Sequence, residues 1–308
     1  MKTLIKILGI ALVLTCRLAA TVQAQNLYVG NDGNGTIGEY GLDGSTVNAS
    51  LISGLSYPEG IAFSGDDLFV ANNTGKIGEY TTSGATVNAS LITGLPGAAG
   101  IAISGNDLFI VDQSGTVGEY TTSGATVNAS LISGLSTPFG LAISGNDLFV
   151  GDSGYGYQGS GYLAEYTTSG AAVNRSLITG LTYPGGIAIS GSDLFVATSA
   201  GIVGEYTTSG ATVNTSLISG LSAVAQGGGG LEGLAVFGND LFAGNLLADT
   251  IGEYTTSGST VNASLISGLD GPVLGVAINP VPESSAGALV CAGAAMLWVW
   301  QRTKSAKS

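Results

Sequence analysis

Six oxygen-bearing side chains in this sequence could together hold a hard metal ion. Each lies just before or just after a short apolar segment, and these segments recur at a regular spacing along the chain. Carboxylate and amide oxygens are the ligands that Ca²⁺ prefers, so a ring of them predicts a calcium site, although the same residue types also cap turns. The candidate metal ligands are Glu59, Asn72, Asp112, Asp152, Glu232 and Asn245.

Two insertions in the regular spacing could bind a sugar. They fall at residues 152–162 and 222–232, and a third irregular loop spans residues 245–250. Aromatic faces stack on sugar rings, and neighbouring carboxylates accept hydrogen bonds from hydroxyl groups. Loops vary without disturbing a core, so ligands usually bind there, the alternative being that these insertions are neutral. The predicted binding residues are Asp152, Tyr155, Tyr157, Tyr162 and Glu232.

Several other kinds of chemistry are excluded by composition. The chain has no His, so it has no His-based acid–base relay and no His-ligated metal. Four consecutive glycines at 227–230 lack the Lys that a phosphate-binding loop requires. Eight Asn-x-Ser/Thr strings follow the internal repeat, and we interpret them as repeat residues rather than glycan acceptors.

The middle of the chain is built from six copies of one unit. The string Gly-Glu-Tyr, or its variant Ala-Glu-Tyr, ends at Tyr40, Tyr80, Tyr120, Tyr166, Tyr206 and Tyr254. Each unit has four short segments rich in Val, Ile, Phe, Tyr and Thr and bounded by turn residues, which predicts strands rather than helices. In the second unit the predicted strands are a (60–64), b (67–71), c (77–81) and d (86–93).

The order of these strands predicts how the fold closes. Strand b is apolar on both faces and d alternates, so b should be buried and d half exposed. The first unit lacks strand a, and a surplus strand a follows the last unit at 275–279, where it could pair with 26–30 and remove open sheet edges. The sequence therefore predicts an all-β fold, a six-bladed β-propeller of four-stranded blades over residues 25–280.

Charge restricts the partners of this propeller. Only Lys76 and Arg175 oppose the 21 acidic residues between positions 25 and 283. Because nucleic acids and anionic lipids bind proteins through Lys and Arg, neither is an expected partner.

Both ends of the chain are predicted to be targeting segments. Residues 1–24 have basic residues, an apolar run at 7–16 and small residues before a cleavage site between Ala24 and Gln25, as in a secretory signal. At the other end, Val281, Pro282 and Glu283 precede an apolar run at 286–300 and three basic residues, which favours a short transmembrane helix. The tail could also be a plain membrane anchor.

The tail at 281–308 resembles the PEP-CTERM sorting signal of Gram-negative bacteria, with Ser284 at the second Pro of its motif. That resemblance implies transient anchoring in the inner membrane, an exosortase-type partner and final placement at the cell surface.

The repeat resembles the NHL-type propeller repeat, as residues 58–62, 68–72 and 77–80 illustrate, and the resemblance covers about 26–279. It implies a binding module. The absence of His and the near-identity of the blades also favour a non-enzymatic binding or scaffold module, and we expect exopolysaccharide or a surface protein as its ligand and no required cofactor. The alternative is a metal-dependent lactonase or hydrolase similar to gluconolactonase-like propellers. Metal content of the 25–280 fragment would separate the two hypotheses.

Overall fold

The regular secondary structure of the described residues consists of β-strands. The computed structural model describes residues 25–154, 161–221 and 233–279. Within these ranges, 24 strands form six antiparallel sheets of four strands each, which confirms the predicted six-bladed propeller. No helix in the same ranges is long and apolar enough to cross a membrane. The predicted signal segment and the predicted C-terminal helix lie outside the described residues.

Each blade contains four strands, named a to d from the central channel outwards. Blade 1 contains β24 (Val273–Ile278), β1 (Asn26–Asn31), β2 (Thr36–Gly41) and β3 (Thr46–Ile52), and blade 2 contains β4 (Pro58–Ser64), β5 (Asp67–Asn72), β6 (Lys76–Thr81) and β7 (Thr86–Thr93). Blade 3 contains β8 (Ala98–Ser104), β9 (Asp107–Asp112), β10 (Thr116–Thr121) and β11 (Thr126–Ser133), and blade 4 contains β12 (Pro138–Ser144), β13 (Asp147–Asp152), β14 (Gly161–Thr167) and β15 (Ala172–Leu181). Blade 5 contains β16 (Pro184–Ser190), β17 (Asp193–Thr198), β18 (Ile202–Thr207) and β19 (Thr212–Ile218), and blade 6 contains β20 (Leu234–Phe237), β21 (Asp240–Asn245), β22 (Thr250–Thr255) and β23 (Thr260–Ile266).

The hydrophobic core lies between neighbouring blades. In β5, Leu68 and Val70 pack against blade 1, whereas Phe69 and Ala71 pack against blade 3. Side chains alternate along a strand, so a strand that separates two such layers must be apolar on both faces. Strand b is therefore buried on both sides, as its sequence predicted.

The propeller closes through its terminal strands. In blade 1, β1 pairs antiparallel with β24, and Leu27 lies opposite Ile278 while Gly30 lies opposite Gly275. The side chain of Asn279 accepts a hydrogen bond from the backbone N–H of Asn26 at 2.7 Å. The predicted closure is confirmed, and it leaves blade 1 with the same four-strand order as the others.

Strand d is more exposed than its alternation predicted. In β7 the first five residues are exposed on both faces, and Val87 keeps 54% of its surface in solvent. The reason is an irregular register: Ile77 pairs with Ile92 and Glu79 with Asn88, so strand d carries extra residues and bulges outwards.

An Asn side chain completes this bulge in every blade. Asn88 accepts a hydrogen bond through Oδ1 from the backbone N–H of Ser90 at 3.1 Å. The same contact recurs at the corresponding positions of the other five blades. The Asn-x-Ser strings of strand d are therefore structural residues of the repeat.

Glycines let the innermost strands approach closely around the channel. A Cβ on Gly100 would lie 2.4 Å from the backbone oxygen of Phe139 in the next blade, and a Cβ on Gly60 would lie 2.3 Å from that of Ala99. A Cβ on Gly275 would likewise lie 2.4 Å from the oxygen of Glu59. Backbone oxygens cannot move aside as a flexible side chain can, so these positions require glycine.

The two ends of the propeller differ in regularity. One end carries the a–b turns, each of two residues, and the c–d turns, each of four, and we call it the turn face. The other end carries the b–c loops and the d–a connections, and we call it the loop face. The lengths on the loop face vary, from the connection at 182–183 to the one at 219–233.

Candidate functional site

Hydrogen bonds tie the segments of the loop face to one another. In blade 2, Pro58 at the start of strand a pairs with Asn72 at the end of strand b. The backbone N–H of Asn73 then donates to the oxygen of Tyr57 at 3.3 Å. Blades 3, 4 and 5 repeat the strand pairing. The predicted site residues at these strand ends therefore share one end of the propeller.

Asp152 is fully buried at the end of strand b in blade 4. Its carboxylate accepts hydrogen bonds from the backbone N–H groups of Ser136, Thr137 and Gly154 at 2.8, 3.0 and 2.9 Å. The hydroxyl of Tyr162 donates a fourth hydrogen bond at 2.7 Å. These contacts join the b–c loop to the preceding d–a connection, so Asp152 anchors the loop.

Tyr162 is half-buried and points its hydroxyl at that carboxylate. Burial raises the pKa of Tyr162, and the hydrogen bond and negative charge of Asp152 raise it further. Both residues were predicted to bind a ligand; in the structure they contact each other, and their binding role stays a prediction. Replacing Tyr162 would disturb the loop anchor as well as any ligand.

Asp112 and Asn72 stabilise their own b–c loops. Asp112 accepts hydrogen bonds from the backbone N–H of Ser114 at 2.9 Å, from the hydroxyl of the same serine, and from the hydroxyl of Thr116 at 2.7 Å. Asn72 accepts through Oδ1 from the N–H and hydroxyl of Thr74 at 3.3 and 3.1 Å. Both side chains thus act as turn caps, the alternative that their sequence positions left open.

Glu59 lies in a different environment at the mouth of the central channel. It is the one charged residue among the described residues lining a cavity of about 290 Å³ enclosed by the six inner strands. Its Oε1 accepts a hydrogen bond from Asn73, whereas no group of the described residues donates to its buried Oε2. Burial raises the pKa of Glu59 to about 7, and the nearby Asp32 also raises it, against the opposing effect of Asn73.

Buried oxygens without a protein donor concentrate on the loop face. In the described ranges they belong to four side chains at the ends of strands or in loops on this face: Asn31, Glu59, Ser153 and Thr250. Buried polar atoms usually have partners, so these four oxygens mark places on the loop face where hydrogen-bonding capacity is left unused by the described residues. The turn face has no such atom among the residues described.

Three of the six predicted calcium ligands accept hydrogen bonds from their own loops. Asn72, Asp112 and Asp152 direct their oxygens at loop donors, and the described residues contain no group of three acidic side chains placed to hold a metal ion. Asn245 ends β21 on the same face. The calcium site therefore remains a prediction.

Several predicted residues lie outside the described residues. They are Tyr155, Tyr157 and Glu232 of the two insertions, Ala24 of the cleavage site, and Val281, Pro282 and Glu283 of the tail. Gln25 is described and directly precedes β1.

Two tyrosines of the loop face, Tyr57 and Tyr183, were not among the predicted site residues. Both have left-handed backbones, with φ of 53° and 47°. The sequence does contain a signal. Each tyrosine directly precedes strand a, and blade 3 has Gly97 at this same position of the repeat. A glycine at this place in another copy of the repeat indicates a turn that can take a positive φ, which bulky residues rarely adopt.

Comparison with known proteins shows the fold. No family model matches the chain, and no curated protein matches it. A chain in a nidogen–laminin complex is 16% identical, with a TM-score of 0.70 over 83% of this chain and 99% of that one. A protein of unknown function from Desulfotomaculum acetoxidans is 21% identical, with a TM-score of 0.59 over 84% and 87%. The calcium-binding protein regucalcin from Agrobacterium tumefaciens is 16% identical, with a TM-score of 0.54 over 69% and 75%.

Proposed function

We propose that this protein is an exported, non-catalytic binding or scaffold module whose ligand binds the loop face of the propeller. The ligand class is an extracellular polysaccharide or a surface protein. The pattern at 1–24 supports export, and the tail at 281–308 supports sorting to the surface of a Gram-negative cell by an exosortase-type enzyme.

One observation carries this proposal, namely that the six blades differ from one another mainly at a single end. Every c–d turn has the same length, and so does every a–b turn, whereas the b–c loop at 153–160 and the d–a connection at 219–233 are much longer than their counterparts. In a repeat protein the blade core constrains all copies equally, so variation confined to one face indicates a surface adapted to something outside the fold.

The chemistry of the loop face also favours binding over catalysis. Asp112 and Asp152, the acids best placed by sequence for a metal site, are engaged in loop hydrogen bonds. Glu59 keeps one oxygen without a protein donor, and this favours a metal-dependent hydrolase as the second candidate. Metal analysis of the purified chain distinguishes the two, since the binding module requires no metal.

A loop exchange between blades tests the proposal. Residues 153–160 are replaced by the shorter blade 3 loop, residues 113–115, and Leu247, which is 61% exposed on the loop face, is changed to Asp. The control is Phe237→Asp, because Phe237 is 38% exposed beside a turn-face hairpin. The full-length chain with the loop changes should lose retention on the producer's extracellular polymer, and the control should keep it. The opposite pattern would contradict the proposal.

A further inference from the structure

Tyr57 occupies a backbone conformation that its residue type disfavours. Its φ is 53°, in the left-handed region, where bulky residues other than Gly are strained. At the corresponding position of blade 3, Gly97 has φ of 64° and accepts the same kind of loop hydrogen bond through its oxygen. Glycine therefore suffices for the turn, and folding alone does not account for a tyrosine there.

The side chain of Tyr57 is largely free of the protein. It is 55% exposed, although tyrosine has a large apolar ring that would normally pack. Tyr183 has the same strained position in blade 5, on the opposite side of the six-membered ring of blades, and is half-buried. The two tyrosines thus lie on the loop face of opposite blades, each directly before strand a.

Glu59 follows Tyr57 by two residues and lines the cavity between the inner strands, and Asn73 donates hydrogen bonds to the backbone oxygen of Tyr57 and to Oε1 of Glu59. The Oε1 of Glu59 thus accepts a hydrogen bond from Asn73, and its buried Oε2 has no donor within the part of the chain that the structure describes. The carboxyl group therefore has hydrogen-bonding capacity that the described residues do not use, and a rotation of the side chain towards the cavity would present this oxygen to a ligand hydroxyl. An aromatic ring beside such an acceptor suits a ligand with one apolar face and hydroxyl groups at its edge.

The negative charge of the protein restricts the class of ligand that can bind. The region between positions 25 and 283 has 21 acids against two basic residues, so a polyanionic chain would be repelled. Two aromatic platforms separated by the channel also suit an extended polymer better than a single sugar.

We propose that Tyr57 and Glu59 form a saccharide subsite for a neutral hexose polymer, with Tyr183 as a second stacking position across the channel mouth. A sugar ring stacks on Tyr57 while one of its hydroxyls hydrogen-bonds to the carboxyl group of Glu59. This inference rests on the proposed function of the loop face and names its ligand class and residues.

Affinity electrophoresis and calorimetry of the full-length chain test the subsite. The full-length chain is kept in a detergent without a sugar headgroup, so that the detergent does not compete with the probes. The probes are a soluble β-1,3-glucan, dextran and a galactomannan. The wild-type chain should bind at least one probe. Tyr57→Gly should weaken binding at least tenfold with an unchanged or higher melting temperature, because glycine relieves the strain. Glu59→Gln should weaken binding several-fold, and Phe237→Ser, which removes an aromatic side chain at the turn face, should not change it.

Two results would overturn the inference. One is wild-type binding that survives Tyr57→Gly, and the other is wild-type failure to bind any of the three probes. Either result leaves the proposed function standing if the loop exchange still abolishes retention on the producer's polymer. If the loop exchange has no effect, the proposed function itself fails.

Discussion

At the scale of single residues, two carboxylates on the same face have opposite roles because their surroundings differ. Asp152 receives four hydrogen bonds and has no exposed surface, so it acts within the fold. Glu59 has one oxygen fixed by Asn73 and another without a protein donor at the channel mouth. A structural acid and a binding acid are thus distinguished by the number of donors that reach them.

Removal of the Asp152 carboxylate should destabilise the fold strongly. Asp152→Ala leaves three backbone N–H groups unpaired, and unfolding in urea should show a loss of about 3 kcal/mol. Asp66→Ala, at an exposed a–b turn, should change stability by less than about 0.5 kcal/mol. Equal effects for the two variants would show that Asp152 does not anchor its loop.

At the scale of strands, the inner ring of the propeller depends on close backbone contacts between blades. Gly100 approaches the oxygen of Phe139, whereas Gly78 of strand c lies against the ring of its own Tyr80. Blade 4 has Ala164 at the position of Gly78, which shows that the ring can accommodate a methyl group. The two glycines therefore differ in what surrounds them.

Alanine substitutions should separate these two glycines. Gly100→Ala forces apart two backbones and should cost about 2–3 kcal/mol, while Gly78→Ala should cost less than about 1 kcal/mol. Chemical denaturation of the two variants, each with circular dichroism to confirm the fold, measures the difference. Similar losses would mean that the inner strands can separate without cost.

The terminal strands supply a second prediction at this scale. A chain ending at residue 270 lacks β24 and exposes an edge of β1, whereas a chain ending at 280 keeps the closed blade. The shorter chain should aggregate or melt well below the longer one. Identical melting temperatures would contradict closure by β24.

The strands were predictable from sequence and most of the site was not, for a physical reason. A strand pattern such as that of β5 recurs in every blade, so apolar alternation and turn residues define it repeatedly. Whether Asp112 binds a metal or caps its loop depends on which donors the loop places beside it, and the sequence does not show this. The exposure of Val87 was missed because a bulge removes strand d from its alternating pattern.

At the scale of the whole molecule, the acidic side chains of the repeat lie close enough for one to raise the pKa of another. In five blades the repeat glutamate has a raised pKa, chiefly from burial and also from the aspartate that opens strand b: Glu79, Glu119, Glu165, Glu205 and Glu253. In blade 1 the aspartate is replaced by Asn26, which donates to Glu39 at 2.7 Å.

These shifts predict that the protein is more stable in mild acid than at neutral pH. A carboxyl group whose pKa is raised by folding binds its proton more tightly in the native state, so stability falls as pH rises towards the native value. For Glu59 this window runs from its ordinary value of 4.5 to about 7. The melting temperature should be higher at pH 5 than at pH 8, and Glu59→Gln should reduce the difference. A lower melting temperature at pH 5 than at pH 8 would contradict the predicted stabilisation in mild acid.

The central claim, that the ligand binds the loop face, is tested most directly by hydrogen exchange of the full-length chain. Deuterium uptake is compared with and without the soluble extracellular polymer of the producing culture. Protection should appear in loop-face segments such as 53–57, 73–75 and 182–183, while turn-face segments such as 82–85 and 122–125 exchange as in the free protein. Protection confined to the turn face or to the outer strands would contradict the account.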